Sequence, residues 1–164
     1  MRRYIGTGLI MLTLLSACGI DSESVRVGHL PLCDYSNTGR LILMAQSVPS
    51  AQVIPCIEAL PDGWRLKHAD VETGRSRLQF DNAAGADVVV YLLTSCSPIG
   101  ELVGSESGVD RNVALEGKSR VEEQVFEGGC IRIESPVGEE PGRMADAIGS
   151  ITRDALREGS GWEL

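Results

Sequence analysis

The sequence predicts an α+β fold: an antiparallel sheet of four or five strands with a C-terminal helix packed on one face, held by two disulfides. Three observations predict it. Between residues 64 and 135, β-branched and aromatic runs alternate with turn signals, as consecutive antiparallel strands require. Residues 143–157 instead repeat apolar side chains at helical spacing. Four cysteines, Cys33, Cys56, Cys96 and Cys130, are spread along the same part of the chain.

Each element has its own local reason. Residues 34–38, Asp-Tyr-Ser-Asn-Thr, are turn-like, and residues 41–46 are strongly apolar. Pro49 and Pro55 confine any helix here to a short piece, 49–54, with Pro49 in its first turn. Leu60-Pro61-Asp62-Gly63-Trp64 is a turn signal. The strand expected over 64–72 places Trp64, Leu66, His68 and Asp70 on one face. Thr73-Gly74 then suits a hairpin into a strand at 76–81, with Leu78 and Phe80 on one face. Residues 82–86 turn the chain into its best strand, 87–96, whose apolar character on both faces marks it as central.

Residues 97–110 hold Gly, Ser, Pro and acids and read as an exposed loop. Two further strands, 120–126 and 130–135, are joined by Glu127-Gly128-Gly129. After a linker at 136–142, Met144, Ala147, Ile148, Ile151, Ala155 and Leu156 form one face of a helix over 143–157. Gly149 inside that helix costs about 1 kcal/mol relative to Ala.

The first eighteen residues have a different character. Arg2 and Arg3 precede a short apolar run over 5–15, and Leu15-Ser16-Ala17-Cys18 follows. A positive start, a short apolar region and small residues before a cut site describe a secretory signal peptide. The run is too short to span a bilayer, which needs about 20 apolar residues. With cysteine after the cut, the segment resembles the lipobox of bacterial lipoproteins. The resemblance implies that Cys18 carries a diacylglyceryl group and becomes the new N-terminus. Residues 1–17 are then signal peptide, 18–28 the lipidated N-terminus and tether, and 29–164 a single extracytoplasmic domain. Two or three acyl chains anchor stably, so the protein would be tethered to the outer face of a bacterial cell membrane.

From Cys18 onward the chain carries 13 basic and 23 acidic residues, a formal charge of −10. That argues against nucleic acid as a partner and against direct adhesion to anionic lipid. With Cys18 assigned to lipid, four cysteines remain, an even number for an exported domain. They allow three pairings. Cys33–Cys56 and Cys96–Cys130 are favoured because each closes a local loop, stabilising the fold by roughly 3–4 kcal/mol in the chain-entropy model. No Cys-x-x-Cys pair is present, so a zinc site is not expected.

Several short segments carry a second resemblance. They are Ser47-Val48-Pro49-Ser50-Ala51, Pro55-Cys56, Leu60-Pro61-Asp62-Gly63-Trp64 and Phe126-Glu127-Gly128-Gly129-Cys130. Together they resemble small membrane-anchored extracytoplasmic proteins of actinobacteria. The resemblance covers about residues 41–135 and implies that Cys56 and Cys130 are framework cysteines. It implies no catalytic residue.

Candidate chemistry is sparse. His68 and Asp70 share a strand face and could serve a hydrolase as base and orienter, but no Gly-x-Ser-x-Gly elbow accompanies them. His29 beside the tether is a surface residue on this reading. Asp81, Asn82 and Asp87 around Gly85 bring oxygen ligands together without the spacing of a calcium loop. Glu101, Glu106 and Asp110 read as a solvated acidic loop. Glu122-Glu123 and Glu139-Glu140 are adjacent carboxylates, and neighbours in a strand point to opposite faces. Trp64 and Trp162 are interaction candidates, with Trp64, directly after a turn, better suited to plug the core. No cofactor is called for.

The expected function is therefore a lipid-anchored, non-enzymatic binding or accessory module of the cell envelope, its partner another envelope protein. The alternatives are an envelope hydrolase using His68 and a small-ligand or metal-binding lipoprotein.

Overall fold

The computed structural model describes residues 30–35, 38–97, 99–106 and 108–161. The expectations for the signal segment, Cys18, His29 and Trp162 lie outside these residues. The described chain is α+β. Its elements run α1 (Thr38–Ser47), β1 (Val53–Ile57), β2 (Trp64–Glu72), β3 (Arg75–Asn82), β4 (Asp87–Leu93), β5 (Glu101–Glu106), β6 (Val109–Glu116), β7 (Ser119–Phe126), β8 (Gly129–Pro136), α2 (Glu139–Asp146), β9 (Ile148–Thr152) and α3 (Arg153–Ser160).

The main sheet has seven antiparallel strands in the order β2-β3-β4-β8-β7-β6-β5, and β1 pairs with β9 in a second, two-stranded sheet. Strands β2 to β4 follow one another as hairpins. The chain then crosses to the far edge, forms β5, and returns by hairpins until β8 pairs beside β4. Cys96, in that crossing, is bonded to Cys130 at the start of β8, with Cα atoms 5.9 Å apart. The second disulfide joins Cys33 to Cys56 on β1 at 5.1 Å. Both bonds are the local pairings favoured by spacing.

One face of β3, β4 and β8 carries the core. Leu78, Phe80, Val88, Val90, Leu92, Ile131 and Ile133 are almost fully buried there. They belong to the same apolar cluster as Leu41 and Met44 of α1, Ile54 and Ile57 of β1, Met144 of α2 and Leu156 of α3. Burying each such side chain stabilises the fold by about 1.5–3 kcal/mol. Trp64 is only 7 % exposed and is part of this cluster, so it is a core residue and offers no free surface for a partner.

Five expectations are corrected. The sheet holds seven strands, not four or five, because residues 97–110 are not a loop: they contain β5 and the start of β6. The helix expected at 49–54 does not form. The helical turns fall earlier, in α1, and the chain after Pro49 enters β1, where Pro55 is tolerated because β1 is flanked by one full partner only.

The single helix expected over 143–157 is three elements. Ile148, Ile151 and Thr152 extend as β9 along β1, and Thr152 Oγ1 then accepts the Ala155 N–H at 3.1 Å, capping α3. Gly149 marks the interruption. A Cβ there would lie 2.7 Å from Glu58 Cγ and 3.2 Å from Cys33 Sγ, so a larger residue would have to displace the Glu58 side chain and press on the Cys33–Cys56 bond.

The C-terminal helix α3 packs chiefly on α1 and β9, whereas α2 lies against β4 and β8. Finally, β2 changes face. Leu66 pairs with Phe80, a bulge follows at Lys67, and His68 and Ala69 then pair with Gln79 and Leu78. Leu66 and Ala69 pack towards the core, and His68 and Asp70 turn to the opposite side.

One arginine closes α1. Arg153 Nη2 donates to the carbonyls of Ala45 at 2.6 Å and Val48 at 2.9 Å, and its Nε donates to Ala51 O at 2.9 Å. These carbonyls lie at and beyond the helix end, where a cation is favourable. Burial, and then the charge of Arg157, pull the Arg153 pKa below its ordinary value.

Candidate functional site

The apolar face of the sheet does not continue to its far edge. On β7 and β6 the same face carries Glu122, Gln124, Arg111 and Val113, as the register Arg111↔Gln124 and Val113↔Glu122 shows. Here the sheet and the β9 layer leave a cleft of about 400 Å³. Its charged and polar lining comprises Glu58 just after β1, Glu106 on β5, Arg111, Gln124, Asp146 at the end of α2 and Ser150 on β9. Gly149 contributes bare backbone to one wall.

Arg111 is the one cation among these lining residues, and it is already engaged. Its Nη2 donates to Glu122 Oε1 at 2.5 Å, and Arg120 Nη2 donates to Glu122 Oε2 at 3.2 Å. Glu122, 7 % exposed, thus has both oxygens satisfied. The Glu122 hydrogen bond, then its charge, raise the Arg111 pKa, and Asp146 and Glu106 add to the effect. The cleft is therefore electronegative, with Glu58, Glu106 and Asp146 around a neutralised arginine.

The opposite face carries a separate polar row. Across it the register aligns Asp70, Arg77, Tyr91, Arg132, Glu123 and Asn112. His68 Nε2 lies 2.8 Å from Asp70 Oδ1, so these two residues do meet as their spacing suggests. Arg77 Nη1 lies 3.6 Å from Asp70 Oδ2, and its Nη2 donates to Gln79 Oε1 at 2.9 Å. The residues set beside His68 and Asp70 on this face are Arg77, Gln79, Val89 and Tyr91, with no serine or cysteine among them. The pair has an orienting geometry without a nucleophile of the triad type.

The remaining candidates are dispersed. Asp81 is held by Arg65 at 2.8 Å and Lys67 at 3.8 Å, and Lys67 also reaches Asp87 at 3.3 Å. Asn82 Oδ1 accepts the Ala86 N–H at 3.0 Å, an Asx turn that shapes the β3–β4 hairpin. Those oxygens are thus used by the hairpin itself. Glu122 and Glu123 point to opposite faces, as adjacent strand residues must. Glu139 and Glu140 lie in the first turn of α2. Among the described residues no group of three or more His, Cys, Asp or Glu stands placed to hold a metal ion, and no helix is long and apolar enough to cross a membrane.

Reading the sequence alone misses Glu58, Arg111 and Asp146, which lie far apart in the chain. The available signal was Gly149, which breaks the helical spacing of 143–157 and lines the cleft. Glu101 and Glu106 are placed by β5 at the free edge of the sheet, where nothing among the described residues pairs with the outward side of the strand. Leu102 and Val103 on the same strand are each 58 % exposed. No protein-family model matches the chain, and no curated protein matches it.

Proposed function

We propose that this chain is a lipid-anchored module on the outer face of a bacterial cell membrane that binds another envelope protein and catalyses no reaction itself. The observation that carries the binding reading is the β5 edge, unpaired among the described residues, with exposed Leu102 and Val103 next to the electronegative cleft. An unpaired strand presents a row of backbone donors and acceptors that another chain can complete. The compartment is inferred from Cys18 in its lipobox setting, and the two disulfides support it because such bonds persist in oxidising surroundings.

In-cell crosslinking of the lipidated protein, followed by mass spectrometry, tests the reading. One dominant envelope partner is expected. Cys18→Ser should abolish lipid labelling and release the protein from membranes; a chain that is unlabelled before mutation would overturn the anchor.

The His68–Asp70 pair, at 2.8 Å, favours a second reading, an envelope hydrolase. His68→Ala in a hydrolase activity screen separates the two, since an unchanged profile removes the enzyme. A small-ligand lipoprotein using the cleft is the third reading, and a ligand of the native state must raise the thermal midpoint.

A further inference from the structure

The free edge has a definite chemical pattern. In the β5–β6 register, Glu101 pairs with Val113 and Glu106 with Val109, so both glutamates project on the cleft side of the sheet. Leu102 pairs with Asn112 and projects on the other side, and the register shifts at Val103. Gly104, between the glutamates, adds no side chain. An arriving strand therefore meets two carboxylates on one face and an exposed leucine on the other.

This pattern selects against a second copy of the chain. Antiparallel self-pairing about a two-fold axis near Val103 and Gly104 would set Glu101 against Glu106 twice, and like charges directly opposite are destabilising. A strand with lysine or arginine at alternate positions and apolar residues between them matches both faces. A long cationic side chain opposite Glu106 is also directed to the cleft, where Glu58 and Asp146 stand.

We infer that β5 is the docking edge for an extended basic segment of an envelope protein, which pairs its backbone with Glu101–Glu106 and directs a cationic side chain to the Glu58, Glu106 and Asp146 cleft. The inference rests on the binding-module reading and adds the mode of recognition and the chemistry of the partner.

The test uses the full chain in detergent and a fluorescent peptide, Lys-Val-Lys-Val-Lys-Val, followed by anisotropy. Saturable binding is expected, weakening with added salt. Glu101→Lys with Glu106→Lys should weaken it at least about tenfold, and a peptide with glutamate in place of lysine should not bind. N-methylation of the peptide at alternate residues, in each of the two possible frames, leaves the protein untouched. One frame should abolish binding because it removes the amide donors facing β5; if neither frame weakens it, strand addition is overturned. Dimerisation of the peptide-free protein that Glu101→Lys alters would overturn the inference in favour of a second copy. A photo-crosslinking residue at position 102 separates the two levels of the argument. A partner captured in cells elsewhere on the chain but not there overturns this edge while the module reading stands. No partner from any position, with no peptide binding, removes both.

Discussion

Arg132 on β8 and Glu123 on β7 face each other in register, and Arg132 Nη1 donates to Glu123 Oε1 at 3.1 Å. The Glu123 side chain is 1 % exposed, and its Oε2 has no hydrogen-bond partner. Arg132 also donates to Glu134 Oε1 at 2.8 Å. Removing the arginine would leave a buried carboxylate uncompensated. Arg132→Met is expected to lower the unfolding free energy by about 3–5 kcal/mol, and adding Glu123→Leu should restore most of it. Denaturant titration of the three proteins checks this; a single variant as stable as the parent would mean that Glu123 does not need its partner.

Arg153 is a sensitive polar residue of the C-terminal segment. Its three bonds to Ala45, Val48 and Ala51 tie the end of α1 to the junction of β9 and α3. Arg153→Ala is expected to cost about 3 kcal/mol, since bonds from a charged donor are worth about 1.5–3 kcal/mol each and part of the loss is recovered by water. Thermal unfolding measures it, and Arg153→Lys should fall between the two.

Acid should weaken the β2–β3 edge through Asp81. The Arg65 hydrogen bond, with the charges of Arg65 and Lys67, holds the Asp81 carboxyl below its ordinary value of 3.8 against the opposing effect of burial. A carboxyl depressed in the folded state stabilises fully above its unfolded pKa, and the stabilisation is lost as pH falls through the folded value. The stability gap between the parent and Arg65→Gln is therefore expected to stay level from pH 7 to about 5 and to close in more acidic solution. Urea midpoints across that range report it, and a gap unchanged down to about pH 2 would sever the link to Asp81.

Gly85 and Gly128 form a matched comparison. Both have φ of 81°, but a Cβ at Gly85 meets open space whereas one at Gly128 would lie 1.8 Å from Ser50 O. Ser50 Oγ also donates to Gly128 O at 2.6 Å, fixing the two backbones together. Gly85→Ala should cost about 1–2 kcal/mol from the left-handed backbone alone. Gly128→Ala should cost clearly more, because backbone must move as well. Equal shifts in the thermal midpoint would show that the Ser50 approach is soft.

The hairpins β2–β3, β3–β4 and β7–β8 were legible because each is a local object. Thr73-Gly74, the Asn82 turn and Gly128-Gly129 lie between runs of strand-forming residues, and pairing follows from adjacency. The strand β5 was illegible for the converse reason. Glu-Leu-Val-Gly-Ser-Glu has little strand character, and an edge position exposed on both faces imposes no alternation. The bulge at Lys67 also leaves no mark in the pattern, so strict alternation keeps His68 and Asp70 together but puts them on the face of Trp64 and Leu66, which they do not share. Ile148 and Ile151 satisfied a helical spacing by coincidence, since β9 exists only because β1 lies beside it.

What the amino-acid sequence determined by itself was the α+β class and the hairpins β2–β3, β3–β4 and β7–β8, and it favoured the local disulfide pairings without fixing them. These depend on residues near one another in the chain, where turn chemistry and loop length set the outcome. Only the tertiary structure decided that the crossing after β4 leads to a far edge, that β9 interrupts a helix, and that Glu58, Glu106 and Asp146 line one cleft. Those arrangements join residues dozens of positions apart, and the free energy that selects them comes from burial and backbone pairing across the whole molecule rather than from any local preference.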